Sequence, residues 1–198
     1  MFFRIIRRYI ETISQRIQES IAVKQALLAD QDLLNQLAKL AGDCLQALQQ
    51  GGKVIFAGNG GSFADAQHLS AEFTSRFLFD RAPLASLALG TNNSAISAIG
   101  NDYGFEQVFA RELRGIAQSN DVFIGISTSG NSPNILSAIQ TAQELALRHI
   151  AWTGQTGGKL AEQCECLRVP SPETARIQEC HILVGHVLCE LVEKNFKY

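Results

Sequence analysis

Four short apolar runs limit what this chain can fold into: Val54-Ile55-Phe56-Ala57, Leu84-Ala85-Ser86-Leu87-Ala88-Leu89, Val122-Phe123-Ile124-Gly125-Ile126 and His149-Ile150-Ala151-Trp152. None shows the polar alternation of a strand with one wet face, so each suits a strand buried on both faces. Helical patterns lie between and after them, over about residues 62–78, 92–100, 105–118 and 133–147. Strands interleaved with helices make a parallel sheet. Cys166-Leu167-Arg168-Val169, stopped by Pro170, supplies a fifth strand, with a short helix near 158–163 before it and a last helix over about 173–196. The expectation is an α/β fold: a doubly wound, five-stranded parallel sheet flanked by helices.

Ahead of the first run, residues 1 to about 50 read as two helices broken near Asp30-Gln31-Asp32. Ile6, Ile10, Ile13, Ile17 and Ile21 recur at steps of three and four, which draws one narrow apolar face on the first helix. Such a stripe has to be covered, and a second subunit is the favoured cover over the chain's own core. The organisation expected is a helical arm over 1–50, serving oligomerisation, and one domain over 51–198.

At 198 residues, 46% hydrophobic and 18% charged, the chain holds one sizeable core but not two. A net charge of −2 provides no basic surplus for a nucleic-acid backbone, so nucleic acid is excluded as a primary partner. The five cysteines form no C-x-x-C pair. With no secretion signal, they are expected as reduced thiols, mostly packing residues, in a cytoplasmic protein. Arg4, Arg7 and Arg8 interrupt the apolar start before a secretory core could form, and no run is long enough to span a membrane.

In a doubly wound sheet ligands bind beyond the carboxyl ends of the strands, so chemistry is sought in the loops there. The first strand is followed by Gly58-Asn59-Gly60-Gly61-Ser62, which permits close backbone approach at a helix N-terminus. It is not the dinucleotide fingerprint, because Phe63 stands where a glycine is needed, and no Gly-Lys-Ser/Thr makes it a P-loop. The third strand is followed by Ser127-Thr128-Ser129-Gly130-Asn131-Ser132-Pro133, with Ser132 at the N-cap position and Pro133 as first helical residue. Four hydroxyls in the first six positions, at the positive end of a helix dipole, can hold a phosphate without a lysine.

His68 and Glu72 are four apart on the helix after the glycine loop and share a face, as a metal pair or as a base with its neighbour. His181 and His186 are five apart on the last helix, about 140° round it, so only one can face the cleft. His149, inside a strand, reads as packing. Carboxylate and imidazole suit proton transfer near neutral pH, and Glu72 with His186 are the candidates. Asn101-Asp102, after Gly100, is either a sugar-binding loop or a simple turn.

These residues, with Asp65-Ala66-Gln67-His68, Gly100-Asn101-Asp102-Tyr103-Gly104-Phe105 and Ala175-Arg176-Ile177-Gln178-Glu179-Cys180-His181, resemble the phosphoheptose isomerases of the sugar isomerase (SIS) domain superfamily over nearly the whole chain. The resemblance implies a bacterial cytosolic enzyme converting sedoheptulose 7-phosphate to D-glycero-D-manno-heptose 7-phosphate, a precursor of lipopolysaccharide heptose. It implies a homotetramer with sites shared between subunits. It assigns substrate binding to Asn59, Gly60, Gly61, Glu72, Asn101, Asp102, Ser127, Thr128, Ser129, Ser132 and Gln178. Zinc would fall to His68, Glu72, Gln178 and His186, and base and acid to Glu72 and His186. Phe63 and Ser75 depart from the usual pattern without removing a chemical group. Gln178 and His186 are eight residues apart, about 12 Å along a straight helix, so one ion meets both only if each side chain stretches toward the other. SIS domains also serve as phosphosugar sensors, and one homologue associates with the replication initiator; retention of Glu72 and His186 favours the enzyme. Arabinose-5-phosphate isomerases usually carry regulatory domains that this length does not accommodate.

Overall fold

The computed structural model describes residues 2–197. In chain order the elements are α1 (Phe2–Ala29), α2 (Gln31–Gln49), β1 (Val54–Gly58), α3 (Gly61–Thr74), β2 (Ser86–Ala88), α4 (Asn93–Tyr103), α5 (Val108–Ile116), β3 (Val122–Ile126), α6 (Pro133–Glu144), β4 (Arg148–Thr153), β5 (Cys166–Arg168) and α7 (Thr174–Asn195). Short 3-10 turns cover Phe105–Gln107 and Gly158–Glu162. All strand pairs are parallel, and the sheet order is β2-β1-β3-β4-β5. The expected five-stranded, doubly wound α/β sheet is therefore present.

Strand parity explains why the apolar runs do not alternate. Val54 and Phe56 face a core shared with α2, α3 and α7, while Ile55 and Ala57 face a second core under α5 and α6. Ile124 and Phe123 divide in the same way on β3. Chain order reverses between β1 and β3, and the glycine and serine loops leave the carboxyl ends of these two strands, at the switch point where such sheets bind ligands.

Asp30 breaks the N-terminal pair as expected: its carboxylate caps α2 by accepting from the Leu33 amide at 3.0 Å. Leu33, Leu37, Leu40, Cys44 and Leu48 then sink into the first core, so α2 covers the sheet. On α1, Ile10, Ile13 and Ile17 are each more than half exposed.

Several boundaries differ from expectation. The second strand shrinks from six residues to Ser86–Ala88, an edge strand flanked by buried Leu84 and Leu89. The third helix stops at Thr74 rather than 78, because Arg81 draws the Glu72, Phe73 and Ser75 carbonyls onto its guanidinium. The next two amides, of Phe77 and Leu78, are taken by the Glu193 carboxylate at 2.8 and 2.7 Å. Asn101 and Asp102 belong to the last turn of α4, which runs on to Tyr103, and not to a loop. Among the described residues, no helix is long and apolar enough to cross a membrane.

Candidate active site

The α3 and α7 helices lie against each other in the same direction. Gly185 allows the close approach, since a Cβ there would stand 2.6 Å from the Leu69 side chain. That contact brings His68 Nε2 to 2.9 Å from His186 Nε2, and His68 Nε2 also lies 3.2 Å from Glu72 Oε1. The Phe77 ring stacks on His186, with centroids 5.5 Å apart, and sets the ring's tilt. His181 is fully buried instead: its Nε2 meets the Thr153 carbonyl at 3.2 Å, and burial pushes its imidazole down to about 4, so it is neutral. The expected division between the two histidines holds. His149 is half-buried, its Nδ1 at 2.8 Å from the Leu147 carbonyl.

His68, Glu72 and His186 present ligand atoms that all lie within 4.8 Å of one another. Ligands about 2 Å from a tetrahedral ion are about 3.3 Å apart, and the 2.9 and 3.2 Å separations are close to that edge. Two imidazole nitrogens and one carboxylate suit zinc with an open fourth position. The donor set fits the metal. Gln178 is elsewhere: its amide nitrogen sits against Gly61, where a Cβ would approach it to 2.6 Å. Gly61 is seven residues before His68 on α3, about 10 Å of rise. Of the four expected ligands, His68, Glu72 and His186 are seen to converge, while Gln178 lies toward Gly61.

Asp65 shares the face of α3 that carries His68. One of its carboxylate oxygens is buried without a hydrogen-bond partner among the described residues, and burial holds its carboxyl above the usual range against the pull of His68.

The serine loop is pre-shaped by its own groups. Gly130 takes a φ of +67°, and its carbonyl accepts from the Leu160 amide. Ser129 Oγ accepts from the Asn131 amide at 3.1 Å, and Asn131 Oδ1 accepts from the Lys159 amide. Ser132 stands at the N-cap position of α6, but its hydroxyl lies 2.8 Å from that of Ser127 instead of capping the helix. The two hydroxyls are thus held side by side at the start of α6.

Asn59 and buried Asn134 exchange two amide hydrogen bonds, each 2.8 Å, which tie the glycine loop to the start of α6. Asn134 escaped sequence reasoning because its partner is 75 residues away; only its place directly after Pro133 hinted at it. With the Asn59 side chain so engaged, the glycine loop offers a ligand mainly backbone. Asn101 and Asp102 are exposed, hydrogen-bonded to each other at 2.8 Å, and line an open cleft of about 600 Å³ with Asn93, Ser94 and Ser97. Neither the metal trio nor the serine loop lines that cleft.

Comparison with known proteins carries the geometry to a family. The SIS domain profile matches residues 2–154. A phosphoheptose isomerase from Aneurinibacillus thermoaerophilus is 52% identical over 183 residues, 92% of each chain. The chain belongs to the phosphoheptose isomerase family. Solved phosphoheptose isomerases agree: that from Neisseria gonorrhoeae superposes with a TM-score of 0.86 at 43% identity, covering 93% of this chain and 98% of its own. That from Francisella tularensis gives 0.89 at 37% identity, covering 94% and 98%. The family's sheet and N-terminal helix are those described above.

Proposed function

We propose that this protein is a phosphoheptose isomerase that converts sedoheptulose 7-phosphate to D-glycero-D-manno-heptose 7-phosphate, an aldose-ketose isomerisation supplying a heptose precursor. The observation that carries the reading is the meeting of His68, Glu72 and His186 at the seam of α3 and α7, in a chain whose switch point bears a hydroxyl-rich loop. This reading gives the loop to the phosphate and the trio to the reacting carbons, which are at opposite ends of a seven-carbon chain.

Ser127, Thr128, Ser129 and Ser132 take the phosphate, helped by the positive end of the α6 dipole. Asn59, Gly60 and Gly61 bound the sugar chain from the glycine loop, and Gln178, against Gly61, reaches the hydroxyls between the two ends. Asn101 and Asp102 face an open cleft and act on sugar in a neighbouring subunit, as members of a homotetramer with shared sites. Of Glu72 and His186, one removes the proton from C1 and returns it to C2 through a cis-enediol, and the other moves the hydroxyl proton from O1 to O2. Holding both groups beside the two carbons supplies much of the acceleration. Zinc held by His68, Glu72 and His186 would orient these side chains in the resting site and not take part in the proton transfer, because a His186 nitrogen bound to the ion could not also move a proton. A cytoplasmic location goes with this reading, in which the enzyme acts on a small phosphorylated sugar.

The test is direct. Purified protein incubated with sedoheptulose 7-phosphate is expected to produce an aldose phosphate visible by NMR, and Glu72→Gln is expected to fold normally and lose at least a hundredfold in kcat, about 3 kcal/mol of barrier. Near-normal turnover by that variant would falsify the assignment. Tight phosphosugar binding with no turnover by the natural chain would point to a sensor instead.

A further inference from the structure

Between the glycine and serine loops lies a buried polar side chain to which the isomerisation chemistry gives no task. It is Asn134, the second residue of α6, only 2% exposed. Its Nδ2 donates to Asn59 Oδ1 and its Oδ1 accepts from Asn59 Nδ2, both at 2.8 Å. Each amide lends the other one donor and one acceptor, so neither side chain can turn without losing a bond.

The pair joins two helix N-termini. Asn59 directly precedes Gly60, the N-cap residue of α3, and its own carbonyl accepts from the Ser62 amide at 3.0 Å. Asn134 lies two residues after Ser132, the N-cap residue of α6. Both helices present their first amides and the positive ends of their dipoles here. A neutral tie leaves both ends open to one anionic ligand, whereas a carboxylate in the tie would put negative charge where the ligand brings its own.

The glycine loop has no other side chain by which to be held. Of residues 58–61, Asn59 alone is not glycine. Gly60 takes a φ of +55°, and Gly61 lies against the Gln178 amide, which a Cβ there would approach to 2.6 Å. A stretch this free in backbone conformation keeps one shape only if something fixes it. Asn134, anchored in the first turn of a helix, does so from the serine-loop side.

We propose that Asn134 is a positioning residue for the reaction. Through Asn59 it holds the glycine loop at a set distance from the serine loop, so that a sugar phosphate seated by its phosphate meets the Gly60 and Gly61 backbone in register. The proposal rests on the serine loop being the phosphate seat. It predicts that the tie matters for a ligand long enough to reach both loops and not for one that fills the serine loop alone.

The assembled protein is titrated by calorimetry with two probes that cannot isomerise: inorganic phosphate, and the heptitol 7-phosphate made by reducing sedoheptulose 7-phosphate. The readout is the ratio of the two affinities, in which any effect on the serine loop or on local charge cancels. Asn134→Leu, similar in size and without the two bonds, is expected to lower the ratio about tenfold, at the scale of a lost hydrogen bond. Asn134→Asp supplies the rescue. Ionised, its carboxylate still accepts from Asn59 Nδ2 but has no proton for Asn59 Oδ1; protonated, it donates and the pair closes again. Burial and the facing oxygen raise that carboxyl, so its ratio should be low near about pH 8 and return toward the natural value near about pH 5. The Asn134→Leu ratio should stay low throughout.

Asn59→Ala, on the more open side of the pair, should lower the ratio as Asn134→Leu does, and the double variant should lose no more than either single change. It also carries the test should the buried leucine prevent folding. In turnover, KM for sedoheptulose 7-phosphate should rise more than kcat falls. An unchanged ratio in the single variants overturns the proposal, as do losses that multiply in the double variant or an Asn134→Asp ratio that acid does not restore. The affinities need no turnover, so a natural chain that binds both probes without isomerising sedoheptulose 7-phosphate counts against the isomerase reading alone.

Discussion

At the scale of single residues, burial separates the two histidines of α7. His186 sits partly exposed with its Nε2 2.9 Å from that of His68, whereas His181 is sealed behind Trp152 and neutral. Its depressed value makes a prediction about stability. An unfolded His181 takes up a proton below about 6.5 and the folded one only near 4, so the unfolded state binds more protons between these values. Stability should therefore fall as pH drops through that window, by about 3 kcal/mol for the 2.5-unit gap. Urea unfolding midpoints measured from pH 7 to 4 should show the decline, and His181→Gln should flatten it; parallel curves would refute the assignment. The metal trio gives a second expectation. Protein purified without chelator and dialysed should carry close to one zinc per chain by elemental analysis, and His68→Asn or His186→Asn should carry little. Zinc retained at the natural level by both variants would exclude the trio as ligands.

At the scale of elements, the site depends on how α3 ends. Arg81 and Glu193 form a buried ion pair at 2.7 Å; Arg81 also holds the last carbonyls of α3, including that of Glu72, while Glu193 holds the Phe77 and Leu78 amides. Burial alone would raise the Glu193 carboxyl, but these amides and the guanidinium outweigh it and keep the group below its usual range. One clamp thus fixes the turn bearing Glu72 and the ring that stacks on His186. Removing one member of a buried pair strands the other, which costs about 3–5 kcal/mol. Arg81→Ala should lower the denaturation midpoint accordingly and reduce kcat more than it raises KM. A midpoint within error of the natural protein would show that the clamp is dispensable.

At the scale of the whole molecule, the apolar stripe of α1 is an unfinished surface. Ile10, Ile13, Ile17 and Ile21 stay at least half exposed, while α2 beneath them is packed into the core. An exposed apolar row of this length on one helix is what a subunit contact requires. The Ile13→Asp, Ile17→Asp double variant is expected to shift the assembly to smaller species by light scattering. An unchanged mass would place the contact elsewhere.

The sheet, its strand runs, both loops and the His68, Glu72 and His186 candidates were readable in the sequence, because buried strands and helix faces leave local, periodic patterns. Capping by Asp30 is equally local, a carboxylate three residues from the amide it serves. What only the tertiary structure decided depends on contacts remote in sequence. The pairing of His68 with His186 spans 118 residues, the hold of Glu193 on Phe77 spans 116, and the Asn59–Asn134 exchange spans 75. The hold of Glu193 on Phe77 and Leu78, with Arg81 on the last carbonyls, ended α3 at Thr74. Spacing along one helix says which face a side chain shares; the approach of a second helix says what it meets there.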